Sequence, residues 1–190
     1  MQTRFILVVS SLLLLPVASA GIFARMSAAS QTPRSPYVDE LSSPIRGLST
    51  REVDDLLNGR GAGFARMAEL NDYPGPRHVL DLKGQLNLSA KQTQQVQAAF
   101  EKMNVEAKRL GQEIVAQEQR LSIAFADKTI AQQALQTQTE ALAMLYGKLR
   151  QTHLQAHLEI TPLLSLKQIA TYNRLRGYTD GKTPIRHHGN

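Results

Sequence analysis

The sequence predicts an all-α fold, built as a long antiparallel helical hairpin with short hooked helices at its ends. Two long stretches place apolar residues at alternating steps of three and four, which puts them on one side of a helix. The chain has no cysteine and no tryptophan, and aromatic residues make up only 5% of it. Its core is therefore aliphatic, which suits helices better than a sheet sandwich, and no segment has the pattern of a strand.

The first 20 residues have the layout of a secretory signal peptide. Arg4 precedes an apolar run from Phe5 to Leu15, and Ala18-Ser19-Ala20 is a small-residue cleavage site. Because the run is near half the length of a spanning helix, we expect cleavage after Ala20 and a periplasmic location, with retention as an anchor as the alternative. The net charge is +6, so the expected acidic partners are membrane surfaces, unfolded chains or envelope proteins, and not nucleic acid.

The exported chain divides into three segments. Residues 21–47 are rich in Ala, Ser and Pro without periodicity, which predicts a flexible arm. Residues 48–178 carry the helical patterns of a single domain, and residues 179–190 form a polar tail. The sequence leaves open whether residues 44–76 pack on their own hairpin or on a second subunit.

Three short helices are predicted at the start of the domain: Leu48–Asn58, Phe64–Leu70 and Arg77–Gln85. The first opens with a capping box, Ser49-x-x-Glu52. Between the first two lies Gly59-x-Gly61-x-Gly63, which has the glycine spacing of a phosphate loop. A phosphate loop follows a strand, whereas a helix precedes these glycines, so we expect a tight turn and no nucleotide.

Two long helices are predicted next, from Ala90 to Ala126 and from Ile130 to Thr161, with a reversal at Asp127-Lys128-Thr129. A last short helix runs from Leu166 to Arg176. The seam of the first long helix is Val96, Phe100, Met103, Ala107, Leu110, Ile114, Leu121 and Ala124. The facing stripe of the second is Leu142, Leu145, Leu149, His153, Ala156, Ile160 and Leu163.

A second apolar face lies on the second long helix, and it needs a second neighbour. That neighbour is predicted to be the short N-terminal helices or another subunit. The face consists of Ala143, Met144, Gly147, Leu154 and Leu158.

One short motif occurs twice, as Leu88-Ser89-x-x-Gln92 and as Leu164-Ser165-x-x-Gln168. Each copy stands where a helix begins, with Ser as the cap, Gln completing a capping box and Leu stapling the entry turn. The residues alone therefore assign the motif to structure and imply no acid, base or nucleophile.

The same two motifs, flanking a helical hairpin behind a signal peptide, resemble the Leu-Thr-x-x-Gln motifs of the Spy/CpxP family of periplasmic stress proteins. The resemblance covers about residues 76–178, with Ser in place of Thr as the capping hydroxyl. It implies a hairpin that dimerises into a curved cradle, and ATP-independent binding of unfolded proteins, envelope-stress signalling or metal sensing. Relatives in this family include zinc-associated and metal-sensing proteins.

His153 and His157 are the candidate metal ligands. Residues four apart share a helix face, so both imidazoles could reach one ion, although His153 could equally be a core histidine and His157 a solvated one. Metal-sensing relatives place ligands on the corresponding helix; His78 is the one upstream candidate and the His187-His188 pair a weaker one. Without cysteine the ligands would be nitrogen and oxygen, which favours Zn, Ni or Cu(II), and no cofactor is otherwise required.

Basic side chains on the long helices are the candidate client-binding residues, although they could also form an ordinary solvated surface. Charge would attract partly unfolded chains, and small apolar patches would hold them weakly and reversibly. These residues are Lys102, Lys108, Arg109, Lys148 and Arg150.

No enzyme is expected, because the chain has no cysteine nucleophile, no nucleophile elbow and no His-Glu metalloprotease pattern. Three hypotheses therefore remain. The first is a dimeric periplasmic chaperone for unfolded envelope proteins, and the second is a metal-responsive sensor or resistance protein using His153 and His157. The third is an adaptor that docks on a membrane sensor kinase.

Overall fold

The computed structural model describes residues 34–43 and 45–179, and within them the fold is all-α, as predicted. Short 3-10 helices occupy Val38–Ser42 and Thr161–Leu163. None of the helices in this part of the chain is long and apolar enough to cross a membrane. The α-helices are α1 (Thr50–Leu57), α2 (Arg66–Glu69), α3 (Pro76–Asp81), α4 (Ala90–Ala126), α5 (Gln132–Ile160) and α6 (Leu166–Leu175).

The two long helices, α4 and α5, pack along each other in opposite directions. Lys102 near the start of α4 bonds Glu159 near the end of α5 at 2.9 Å. Further along, the hydroxyl of Tyr146 in α5 donates to Glu118 of α4 at 3.3 Å. Residues 127–131 reverse the chain between them, with Lys128 at a positive φ of 57°.

The apolar core falls into two clusters along these helices. One joins Leu110 and Ile114 of α4 to Leu149 of α5, with Leu56 of α1 packed against them. The other, near the open end of the helix pair, surrounds Val96, Ile160 and Tyr172. Met103 on α4 and His153, Ala156 and His157 on α5 are also buried and lie between the two clusters in sequence, but they belong to neither.

Helix α1 crosses α4 at Gly111. A Cβ added there would lie 2.0 Å from the carbonyl oxygen of Leu56, so only glycine allows the two backbones to approach this closely. The start of α1 is fixed by Ser49, whose hydroxyl accepts from the backbone N–H of Glu52 while the Glu52 carboxylate accepts from Ser49. The close crossing at Gly111 therefore holds α1 against the side of the hairpin.

The repeated motif forms a capping box at both predicted positions. Ser89 accepts from the N–H of Gln92, and Ser165 from the N–H of Gln168. The two copies also lie side by side, since the amide of Gln92 donates to the carbonyl of Leu163 at 2.8 Å. The motif therefore closes the open end of the helix pair as well as starting two helices.

The short helices differ from the sequence prediction at their ends. The second was predicted as Phe64–Leu70 but covers only Arg66–Glu69, because Gly61 to Ala65 form turns that include Ala62 at a positive φ of 39°. The third was predicted as Arg77–Gln85 but begins at Pro76 and ends at Asp81, and turns continue to Asn87. The second long helix begins at Gln132, two residues later than predicted, since Ala131 is extended.

Part of the predicted arm has structure. Residues Val38–Ser42 form a 3-10 helix, and Ile45 is only 3% exposed beside Leu48. The predicted signal segment, the remainder of the arm, and the tail from residue 180 with His187 and His188 lie outside the described residues.

The second apolar face of α5 is not covered by the short N-terminal helices that the structure describes. Met144 is 65% exposed and Leu158 is 53% exposed, and Ala143 and Gly147 are also exposed. Leu154 is half-buried. Another subunit remains the predicted neighbour for this face.

Candidate functional site: a histidine-lined cleft

A cleft of about 640 Å³ opens between the N-terminal segment and the middle of the helix pair. Its wall from the N-terminal side includes the turn Gly59–Gly63, Glu69 and His78, and its floor includes Met103, His153 and His157. All three histidines singled out as metal candidates within the described residues therefore line one cleft. The volume is in the range of small-ligand sites.

His153 is buried in the floor, with 3% of its surface exposed. Its ring stacks on Phe64 at 6.2 Å between centroids, and Nε2 has no hydrogen-bond partner among the described residues. Burial, with a contribution from the nearby His157, lowers the pKa of His153 to about 4. The imidazole is therefore neutral at physiological pH.

His157, one turn further along α5, is 6% exposed. Its Nδ1 donates to the backbone carbonyl of Tyr73 at 2.8 Å, which fixes the tautomer with the lone pair on Nε2. Burial lowers the pKa of His157, although the Tyr73 carbonyl and the charge of Glu69 oppose that shift. Gly75 makes room for this ring and for Glu69, since a Cβ there would lie 3.1 Å from Cε1 of His157 and 2.7 Å from a carboxylate oxygen of Glu69.

His78, on α3, reaches the cleft from the N-terminal side. Its Nδ1 donates to a carboxylate oxygen of Glu69 at 2.6 Å. The hydrogen bond holds the ring with its other nitrogen, Nε2, available. A carboxylate partner of this kind is typical of histidines that bind a metal through the opposite nitrogen.

Glu69 is a hub of hydrogen bonds that joins the cleft to Tyr172, Arg176 and Tyr178. Tyr172 of α6 donates to it at 2.7 Å, Tyr178 donates to it as well, and Arg176 lies 3.5 Å away. Burial by itself would raise the pKa of this carboxyl group, but the hydrogen bonds from His78, Tyr178 and Tyr172 outweigh it. They hold the pKa of Glu69 well below its usual range.

The positions of the donors limit what the cleft can hold as it stands. Within residues 34–43 and 45–179, no three side chains of His, Cys, Asp or Glu are close enough together to form a metal site. His153 and His157 share one face of α5, whereas His78 is engaged with Glu69. The cleft therefore offers a pair of histidines on its floor and a third histidine at its side.

The predicted client-binding residues do not form one continuous basic surface. Lys102 pairs with Glu159, and Arg109 pairs with both Glu106 and Glu113. Lys148 contributes to lowering the pKa of Glu106, after the larger effect of Arg109.

The other two of these residues, Lys108 and Arg150, lie beside the N-terminal segment. A Cβ at Gly59 would meet the side chain of Lys108 at 3.1 Å. The guanidinium of Arg150 contacts the sulfur of Met67 at 3.3 Å.

Sequence reasoning missed several residues of the cleft. Glu69 was one of many scattered carboxylates, and nothing local linked it to Tyr172, which is 103 residues away. The thioether of Met103 was assigned only to the helix seam. A usable indication was the Pro-Gly-Pro turn at residues 74–76, which folds α3 back so that His78 meets Glu69.

Comparisons with protein-family models, with curated proteins and with solved structures gave no match. The resemblance to the Spy/CpxP family therefore stays a prediction from the two motifs.

Proposed function

We propose that this protein is an exported metal-responsive protein and that the metal ion binds in the histidine-lined cleft. The observation that carries the proposal is the buried Nε2 of His153, which lacks a partner among the described residues. Leaving a buried polar atom unpaired costs about 1–3 kcal/mol, so its presence calls for an explanation. A metal ion coordinated in the cleft would supply the missing interaction.

The other two histidines have the hydrogen bonds that metal ligands commonly have. The Nδ1–H of His157 donates a hydrogen bond to a backbone carbonyl, and the Nδ1–H of His78 donates one to a carboxylate. In each ring Nε2 is therefore left as the ligand atom. The low pKa of His153 keeps it in the neutral form that binds metals. With imidazole ligands alone, Zn, Ni or Cu(II) would be suitable ions.

His153 and His157, which are buried four residues apart on α5, would be two of the ligands. His78 would complete the set by a change in its side-chain conformation, with its bond to Glu69 guiding the ring. Ion binding would then connect α5 to α3.

The experiment is thermal denaturation of the purified protein in EDTA and in a small excess of Zn(II). A ligand present at 100 times its Kd stabilises the folded state by about 2.7 kcal/mol, so the Tm should rise by several degrees. The double variant His153→Gln/His157→Gln should lose the rise. The matched double variant His187→Gln/His188→Gln should keep it, and the reverse pattern would place binding in the tail and refute the cleft.

A second candidate function, binding of unfolded chains, is favoured by the apolar side chains that the long helices expose. Val105 is 70% exposed on α4, and Met144 is 65% exposed on α5. These side chains alternate with paired charges such as Lys102–Glu159 and Arg109–Glu106, so the surface stays soluble while offering small apolar patches.

Light scattering of an unfolding client protein at equal molar ratio, first in EDTA and then with Zn(II), tests this candidate. The variant Val105→Ser/Met144→Ser should suppress aggregation less than the unmodified protein does. Leu166→Ser is the control, because Leu166 is as exposed, at 65%, but lies on α6 outside the two long helices. Absence of suppression in both conditions would remove this candidate, and suppression only with Zn(II) would unite the two functions.

A further inference from the structure

Met103 occupies an unusual place in the core. It is 8% exposed and lies on α4 between the two apolar clusters, where α5 contributes His153 and His157. Met103 also lines the same cleft as these two histidines. Among the described residues, this gap between the two apolar clusters therefore combines two imidazoles with a thioether.

The thioether changes the chemistry expected of the site. Without cysteine, the sequence predicted nitrogen and oxygen ligands and hence Zn, Ni or Cu(II). Methionine sulfur is a soft donor that selects Cu(I), and imidazole also suits copper. Methionine also fills irregular gaps in cores, but a gap filler would not account for the unpaired Nε2 of His153 in the same cleft.

The carboxylate nearest to the histidines is already committed. Glu69 accepts from His78, Tyr172 and Tyr178 and lies 3.5 Å from Arg176. Recruiting it as a hard oxygen ligand would break contacts to α3 and α6. The donors that the two long helices contribute to the cleft are the two imidazoles, the sulfur of Met103 and the neutral amide of Asn104, and none of them is a charged oxygen ligand.

We infer that the cleft selects the soft monovalent ion Cu(I), bound by His153, His157 and Met103, an inference that rests on the metal-binding function proposed above. The ligands come from both long helices, so the ion would tie α4 to α5 in the layer where apolar packing is interrupted. With Cu(I) bound in this way, His78, which is the third ligand proposed above for Zn(II), would keep its bond to Glu69 at the mouth of the cleft.

The test is a competition for metal with the purified protein under anaerobic, reducing conditions. Cu(I) affinity is measured against a colorimetric Cu(I) chelator, and Zn(II) affinity against a chromophoric zinc chelator. We expect one Cu(I) per chain, bound more tightly than Zn(II). Met103→Leu should weaken Cu(I) binding by about tenfold or more, since loss of even an outer-shell partner costs about that much, and should leave Zn(II) binding unchanged.

The variants are chosen so that folding is preserved. Leucine replaces methionine with little change in volume, and Met144→Leu, at a side chain that is 65% exposed, is the matched control. X-ray absorption of the Cu(I) form should show a sulfur neighbour that disappears in Met103→Leu and remains in Met144→Leu. Circular dichroism of both variants confirms that they are folded.

The outcomes separate this inference from the proposed function. Metal binding that depends on His153 and His157, with equal Cu(I) affinity in Met103→Leu and no sulfur neighbour, would overturn the inference and leave the metal-binding function standing. Binding that survives His153→Gln/His157→Gln, or no binding of either ion, would overturn both.

Discussion

The side-chain amides of Gln92 and Gln168 hydrogen-bond each other in both directions, at 3.0 and 3.2 Å. Each glutamine also completes the capping box of its own helix, so each amide oxygen accepts both from the backbone of its own cap and from the partner amide. The start of α4 and the start of α6 are thereby joined through one amide pair. The two copies of the motif act as a single tertiary contact.

Gln92→Ala should destabilise the protein more than Ser89→Ala. Loss of the Ser89 cap costs about 1 kcal/mol. Loss of Gln92 removes the acceptor for the Ser89 N–H, the bond to the Leu163 carbonyl and the pairing with Gln168, so we expect about 2–3 kcal/mol. Urea denaturation at 25 °C measures both values.

The pairing itself is tested by a double-mutant cycle with Gln168→Ala. The double variant should lose less free energy of unfolding than the sum of the single variants, because either substitution already breaks the pair. Gln97→Ala is the control, since Gln97 bonds Glu101, four residues further along α4. Strict additivity of the two losses would show that the amide pair contributes nothing.

Two glycines within long helices should respond oppositely to alanine. Gly111→Ala would place a Cβ 2.0 Å from the Leu56 carbonyl and force α1 away from α4, costing about 2 kcal/mol or more. Gly147 has nothing within 4 Å of an added Cβ, so Gly147→Ala should stabilise the protein by about 0.5–1 kcal/mol through helix propensity. Thermal denaturation of both variants makes the comparison, and a stable Gly111→Ala variant would contradict the close crossing.

The features predicted correctly from the sequence depend on residues that are close together along the chain. The helix Ala90–Ala126 has the predicted bounds because a capping box from Ser89 to Gln92 marks its start and an apolar seam, interrupted at Gln117, carries it to the reversal. The placement of His153 and His157 on one face of α5 follows from their spacing of four, whereas the solvated alternative for His157 is wrong, since this residue is 6% exposed.

Long-range contacts were beyond the reach of these patterns. Gln92 meets Gln168 across 76 residues, and Glu69 meets Tyr178 across 109. The short helices α2 and α3 were misplaced at their ends because turns occupy residues 62–65 before α2 and residues 82–87 after α3. The cleft could therefore not be predicted from the sequence, because its walls come from segments that are distant along the chain.

Tyr172→Phe tests Glu69 as the hub between α2 and α6. The substitution removes the bond to the ionised Glu69 and leaves the buried N–H of Gly75 without its acceptor, which should cost about 1.5–3 kcal/mol. Tyr73→Phe is the control, since the Tyr73 side chain is 40% exposed and its contribution to the cleft is a backbone carbonyl. If urea denaturation gave the same stability for both variants, the hypothesis that Glu69 stabilises the fold by linking α2 to α6 would be refuted.

The buried state of His153 predicts a loss of stability on mild acidification. Its pKa is lowered by burial, and secondarily by His157, to about 4, whereas the unfolded chain has a value of about 6.5. Between these values the unfolded state binds more protons than the folded state. The free energy of unfolding should therefore fall as the pH drops from about 6.5 to about 4, by about 3 kcal/mol in all, and the contribution of His153 should be constant below that range.

His153→Leu should flatten this part of the pH dependence, because the variant has no imidazole to protonate at that position. The lowered pKa of His157 leaves a smaller slope of the same sign, and Glu69 acts only at more acidic pH, since its pKa is well below its usual range. Urea denaturation in EDTA at pH 7, 6, 5 and 4.5 gives the slope for both proteins. If the unmodified protein and His153→Leu lost stability in parallel as the pH fell, His153 would be protonated as readily in the folded chain as in the unfolded one. The interpretation of His153 as a buried, neutral side chain in the floor of the cleft would then be wrong.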